Sequence, residues 1–150
     1  MRLLICILTF AYASTLTAQQ SQDEQAVRKL IDNFHVSSKT ATDDVIFVSG
    51  AYPRPIIGRQ AISASDTAMI DAQGETRKRS NERRKSRVQR VEVSKAGDMA
   101  YGFALFDMEF DRPDSTGKQE HVKFEGSQLT VWKKLQGQWR LAAAFMRPND

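Results

Sequence analysis

Four stretches of strand-like composition follow one another at residues 88–94, 99–111, 122–134 and 138–146, separated only by turn-forming residues. The connections are Ala96-Gly97-Asp98, Asp114-Ser115-Thr116-Gly117 and Gln136-Gly137, too short for anything but antiparallel hairpins. Upstream the pattern is helical. Ala26, Val27, Leu30, Ile31 and Phe34 recur at the spacing that lines one face of a helix, with Ser21 and Glu24 as a capping-box pair and an end near Ser37-Ser38. A second helix is expected over residues 59–72, burying Ala61, Ile62, Ala64, Ala68, Met69 and Ala72, with Gly74 as its stop. Between the helices, Asp43-Asp44 lead into a short β-branched strand, Val45-Ile46-Phe47-Val48. Gly50 and Pro53-Arg54-Pro55 then force an extended loop. Helices followed by a run of hairpins specify an α+β domain with helices on one face of an antiparallel sheet.

The amino terminus reads as a separate element. Met1-Arg2 precede an apolar run from Leu3 to Ala13, and small residues then give way to polar Gln19-Gln20. This is the layout of a secretory signal peptide, and the run falls short of the roughly 20 residues that cross a bilayer. Residues 1–18 are therefore expected to be removed after Ala18, with Ala11-Tyr12-Ala13 as an alternative site, leaving one exported domain over residues 19–150 in the periplasm or the medium. The one cysteine of the chain, Cys6, lies inside that leader, so no disulfide, zinc-thiolate site or nucleophilic thiol is available to the remainder. No membrane anchor is expected once the leader is gone.

Two segments, Met99–Phe106 and Leu141–Met146, are apolar at both parities, whereas a sheet with one solvated face should alternate. Two or three helices cover only one face. The other is expected to meet a second copy in a two-fold dimer.

The order of these features resembles the SnoaL-like, ketosteroid-isomerase-like group of the nuclear transport factor two-like superfamily. The carriers are Asp43-Asp44 before a strand, Gly58-Arg59-Gln60-Ala61-Ile62 opening a helix, Gly97-Asp98-Met99-Ala100 entering a strand, and the closing pair Val131-Trp132-Lys133-Lys134 and Gly137-Gln138-Trp139-Arg140-Leu141. The resemblance implies a cone-shaped half-barrel whose curved sheet wraps a pocket closed by helices, with dimers through the sheet common. The interval from His35 to Asp43 is too short for the further helix such proteins usually carry there. Steroid isomerases of the group use a Tyr and two Asp at places that fall near Ile31, Ser49 and Gln128, and none of these matches. Ala142-Ala143-Ala144-Phe145 stand where many relatives have His or Asp. The resemblance therefore carries the fold and not the isomerase activity.

Candidate chemistry is sparse. Asp107 is the best placed acid for a general base of isomerase or hydratase type, whereas Asp43, Asp44, Glu109 and Asp111 read as turn formers or solvated groups. His35 and His121 lack neighbours at metal-ligand spacing, and neither a nucleophile elbow nor a phosphate-cradling glycine loop is present, so no metal or cofactor is expected. Tyr52, Tyr101, Phe103, Phe124, Gln128, Trp132 and Phe145, with Trp139, are the candidates to line an apolar pocket for a small molecule. Residues 77–90 hold eight of the 22 Lys and Arg of the chain, against one acid, Glu82. This run reads either as a solvated linker or as a polyanion-binding surface centred on Arg83, Arg84 and Lys85. Nucleic acid is disfavoured, because the run contains no aromatic residue on which a base could stack. The expected function is binding of a small apolar or amphipathic molecule in the cone, with an Asp107 enzyme and a polyanion-binding module as alternatives.

Overall fold

A computed structural model of the 150-residue chain describes residues 3–34, 36–50, 52–65 and 79–149. It consists of α1 (Leu3–Asp32), β1 (Ala41–Ser49), β2 (Ile56–Ile57), α2 (Arg59–Ser65), β3 (Ser80–Val93), β4 (Met99–Pro113), β5 (Gln119–Leu135) and β6 (Gln138–Pro148). The strands form one open sheet in the order β2-β1-β6-β5-β4-β3. Neighbours are antiparallel except β1 and β6, which run parallel. No described helix is long and apolar enough to cross a membrane.

The three expected turns join β3 to β4, β4 to β5 and β5 to β6. Gln136 and Gly137 both adopt positive φ, as a two-residue hairpin turn requires. In the β4–β5 turn, Asp114 Oδ1 accepts hydrogen bonds from the backbone N–H of Thr116 and Lys118, and Gly117 takes the left-handed conformation.

Several local expectations are corrected. Ser21 is not a helix cap: α1 runs through it without interruption, because no Gly or Pro stands between Leu3 and Asp32 to end the ladder. Asp43 and Asp44 lie inside β1 rather than before it, both exposed. Residues 66–72 of the expected second helix, its stop Gly74, and His35 lie outside the described residues. Among the described residues no helix stands between α1 and β1.

The basic run is not a linker from residue 80 onward. β3 begins at Ser80, eight residues earlier than the composition suggested. Its cations face acids on β4: Arg83 is opposite Glu109 and Lys85 opposite Asp107, and Arg87 bonds Asp107. A charge run repels itself only while uncompensated, and β4 supplies the compensation. β3 is also an edge of the sheet, where Lys and Arg discourage pairing with another chain. Helix α1 covers part of that edge, with Arg28 and Gln20 donating to the carbonyls of Val88 and Val93.

Alternation divides the sheet into two faces. The inner face carries Val45 and Phe47 of β1, Val93 of β3, Ala100, Ala104, Phe106 and Phe110 of β4, Gln128, Thr130 and Trp132 of β5, and Leu141 and Ala144 of β6. Val27 and Ile31 of α1, Phe34 just after its end, and Ile62 of α2 pack on one end of it. Each such buried Val, Ile or Phe contributes about 1.5–3 kcal/mol. A second cluster, Phe106, Met108 and Phe110 with Val122, Phe124 and Met146, continues the inner wall towards the β4–β5 turn. Breaks in register at Val88/Arg90 and Val131/Trp132 are bulges, which bend the sheet around this core.

Asp23, 5% exposed, ties the helix to the last hairpin: it accepts hydrogen bonds from Lys134 Nζ at 2.7 Å and Trp139 Nε1 at 3.2 Å. Burial raises its carboxyl, but the bonds from Lys134, Gln19 and Trp139 outweigh this and hold it below the ordinary value.

Candidate functional site

A cluster of polar side chains interrupts the apolar inner wall. Arg84 stands on β3 opposite Met108 and reaches diagonally across the sheet, over the Phe106 ring, to Gln128 of β5. Its guanidinium centre lies 4.2 Å from the Phe106 ring and 5.2 Å from that of Phe34, and Nη1 is 3.9 Å from Met146 Sδ. Gly126 makes this possible, since a side chain there would collide with the Phe106 ring that lies across β5. Arg84 donates through Nη2 to Gln128 Oε1. Beyond that, three polar atoms are unmatched: Arg84 Nε, Gln128 Nε2 and Ser86 Oγ are all buried with no hydrogen-bond partner among the described residues.

The charge is unmatched too. Among the described residues, no carboxylate lies within ion-pair distance of Arg84, and the acids of the inner face are engaged elsewhere, Asp23 by Lys134 and Glu120 by Arg112. Burial lowers the Arg84 guanidinium to about 10, with the exposed Glu82 offsetting only part of this. It remains a cation at neutral pH. Arg79, stacked 3.8 Å above Phe110 further along the same wall, is lowered by burial as well.

The seven aromatic and polar pocket candidates divide between the faces. Tyr52, Phe124, Gln128 and Trp132 belong to the inner side. Trp132 is plain core, donating to Thr130 Oγ1 and meeting Phe34 edge-on, and Tyr52 packs edge-on against Phe47. Phe124 stands edge-on to both Phe106 and Phe110. Tyr101, Phe103 and Phe145 do not join them: odd positions of β4 point outward, and the three are 36%, 39% and 45% exposed on the outer face. There Phe103, Phe145, Val48 and Leu129 border a shallow hollow of about 290 Å³.

Asp107 is on the outer face as well, paired with Arg87 and open to solvent, away from the helix-covered core. The polyanion triplet is split by the same alternation, with Arg83 and Lys85 outward and Arg84 inward. Arg83 and Lys85 border an open groove of about 500 Å³ whose walls include Asp107, Glu109 and Glu125 as well as Lys123, so its charge is mixed. His121 pairs with Asp111 at 2.7 Å.

A ketosteroid isomerase-like protein from Erwinia carotovora atroseptica superposes with a TM-score of 0.61 at 13% identity, over 89% of this chain and 95% of that one. The fold is that of the nuclear transport factor 2-like proteins. A nuclear transport factor 2-like superfamily protein from Salmonella enterica serovar Typhimurium matches 92% of this chain and 94% of its own at a TM-score of 0.53 and 16% identity. A conserved protein from Planctomyces limnophilus covers 92% and 99% at 0.55 and 17%. No protein-family model and no curated protein matches the sequence.

Within the nuclear transport factor 2-like fold of this chain, sequence reasoning reached Gln128 but missed Arg84 as an inward group, and missed Ser86 altogether. The signal was present, because Arg84 and Ser86 share the parity of Val88. Reading the segment as a charge run concealed the alternation.

Proposed function

We propose that this chain is an exported binding protein that holds a small amphipathic molecule against the inner face of its sheet, as a two-fold dimer formed through the outer face. One observation carries the binding reading: an apolar wall is interrupted by three neighbouring polar side chains whose buried atoms Arg84 Nε, Gln128 Nε2 and Ser86 Oγ have no hydrogen-bond partner among the described residues. Buried polar groups in folded proteins are otherwise almost always paired, and an apolar recess with a few placed polar groups is the usual form of a small-molecule site. The likeness of fold to ketosteroid isomerase-like and nuclear transport factor 2-like proteins supports a cone able to enclose such a molecule. Catalysis through Asp107 finds no support, since that acid faces away from the wall.

Export rests on the leader pattern of residues 1–18. The described side-chain hydrogen bonds between α1 and the sheet, from Gln20, Asp23 and Arg28, all lie beyond them. The dimer rests on the outer face. Apolar Ile46, Tyr101, Phe103, Leu129 and Phe145 are exposed at one end. At the other, the cross-strand row Arg83-Glu109-Lys123 alternates in sign and the row Lys85-Asp107-Glu125 sets one base beside two acids, so the face carries both signs and a copy related by two-fold rotation can set base against acid.

Native mass spectrometry of gently purified protein tests both parts. The expected species is a dimer carrying a small extra mass that denaturation releases. Protein that is ligand-free from every exporting host and takes up no amphipathic compound would remove the binding reading, and a monomer at micromolar concentration would remove the dimer.

A further inference from the structure

We infer that the molecule held on the inner face carries a single carboxylate and that Arg84 is the residue that anchors it, an inference that rests on the binding reading above and names its ligand class. The idle groups are donors or can donate. Arg84 Nε and Gln128 Nε2 have only N–H to offer, and Ser86 Oγ, one rung along the same face of β3, can supply an O–H. Gln128 turns its carbonyl oxygen to the guanidinium, which leaves its amide nitrogen unpaired. What such a set lacks is an acceptor.

Charge narrows the choice. The Arg84 guanidinium centre lies 4.2 Å from the Phe106 ring and 5.2 Å from the Phe34 ring, and the N–H at Nε on its edge is without a described partner, so the edge is what it has to offer a ligand. A guanidinium edge matches a planar carboxylate through paired N–H···O bonds, a match that neither an alcohol nor an ammonium group can make. Stacking on rings stabilises a desolvated guanidinium only in part, and no described carboxylate of the chain supplies the missing negative charge. One guanidinium at this point suits a monoanion. The surroundings describe the rest of the ligand: Phe124 and Met146 adjoin the Phe106 ring, so the body of the acid is apolar.

Decanoate and decan-1-ol, which share a chain and differ in the head group, are the probes. Affinity of the protein for each is measured by calorimetry, with the ¹⁵N resonance of Arg84 Nε followed during titration. Decanoate is expected to bind about tenfold or more tightly than decanol, to shift the Arg84 Nε signal, and to lose that advantage in Arg84→Met. Arg84→Lys, which keeps the charge and loses the fork, is expected to recover only part of it. Equal affinity for the two probes, or decanoate binding that leaves the Arg84 Nε signal unmoved, overturns the anchor while the binding reading stands. Binding of neither probe, or of any other amphipathic compound, overturns both. Should the Arg84 variants fail to fold, the ratio of the two probes and the Arg84 resonance in the unaltered protein decide the matter alone.

Discussion

Ile31 fills the space that a side chain on Gly102 would occupy, so helix α1 rests directly on the backbone of β4. The same device recurs at Gly126, where a β-carbon would meet the Phe106 ring and, at 2.7 Å, the backbone carbonyl of Arg147. These glycines are needed for space. Ile31→Ala should destabilise the protein by about 2–5 kcal/mol through the cavity it leaves. Gly126→Ala should cost about 1–3 kcal/mol, more than Gly102→Ala, because a backbone carbonyl yields less readily than the tip of a side chain. Urea unfolding of the three variants checks the order.

Asp23 should make the fold acid-sensitive in a defined window. Its folded pKa lies below the ordinary 3.8, so the stability it contributes is fully present above that value and is lost as pH falls through the lower folded value. Asp23→Asn should therefore lower Tm at neutral pH, with the gap from wild type closing as the pH drops below 3.8. Melting curves from pH 7 downward provide the test, and a gap that stays constant would assign the contribution to packing alone.

Replacing Phe103 by Glu places a charge in the exposed apolar end of the outer face, where the proposed partner copy would sit. The dimer dissociation constant should rise about thirtyfold or more, equivalent to the ~2 kcal/mol of a central interface aromatic, with circular dichroism unchanged. Sedimentation analysis reads this directly.

Asp107→Asn should change the stability of the single chain and its ligand binding little. Its partner Arg87 is on the outer face, both groups reach solvent, and an exposed ion pair contributes about 0–1 kcal/mol. Ligand affinity on the inner face should match the wild type within a factor of two, roughly the error of the measurement. A large loss would place Asp107 in the site after all.

A protein beginning at Gln19 should melt within about 2 °C of the full chain, the shift expected when well under 1 kcal/mol is lost. The described side-chain bonds that fasten α1 to the sheet, from Gln20, Asp23 and Arg28, all lie beyond the cleavage point. Differential scanning fluorimetry of both forms is sufficient.

Local chemistry along the sequence determined the hairpins, the helix carrying Val27 and Ile31, and the apolar double parity around Phe103 and Phe145, because turn residues and side-chain period act over a few positions. The SnoaL-like resemblance, carried by the order of those elements, added the curved, cone-shaped sheet and, through the places of Ile31, Ser49 and Gln128, argued against isomerase chemistry. Tertiary structure decided which face each strand residue shows. Asp107 and Arg84 both look like candidates in the sequence, yet pairing of β3 with β4 sends the acid to solvent and the cation inward. It also turned a run of like charge into an ordered edge strand, since the neutralising acids Asp107 and Glu109 lie over 20 positions away and reach Lys85 and Arg83 only across the sheet. Compensation between groups remote in sequence is a property of register, and register is set by the whole sheet at once.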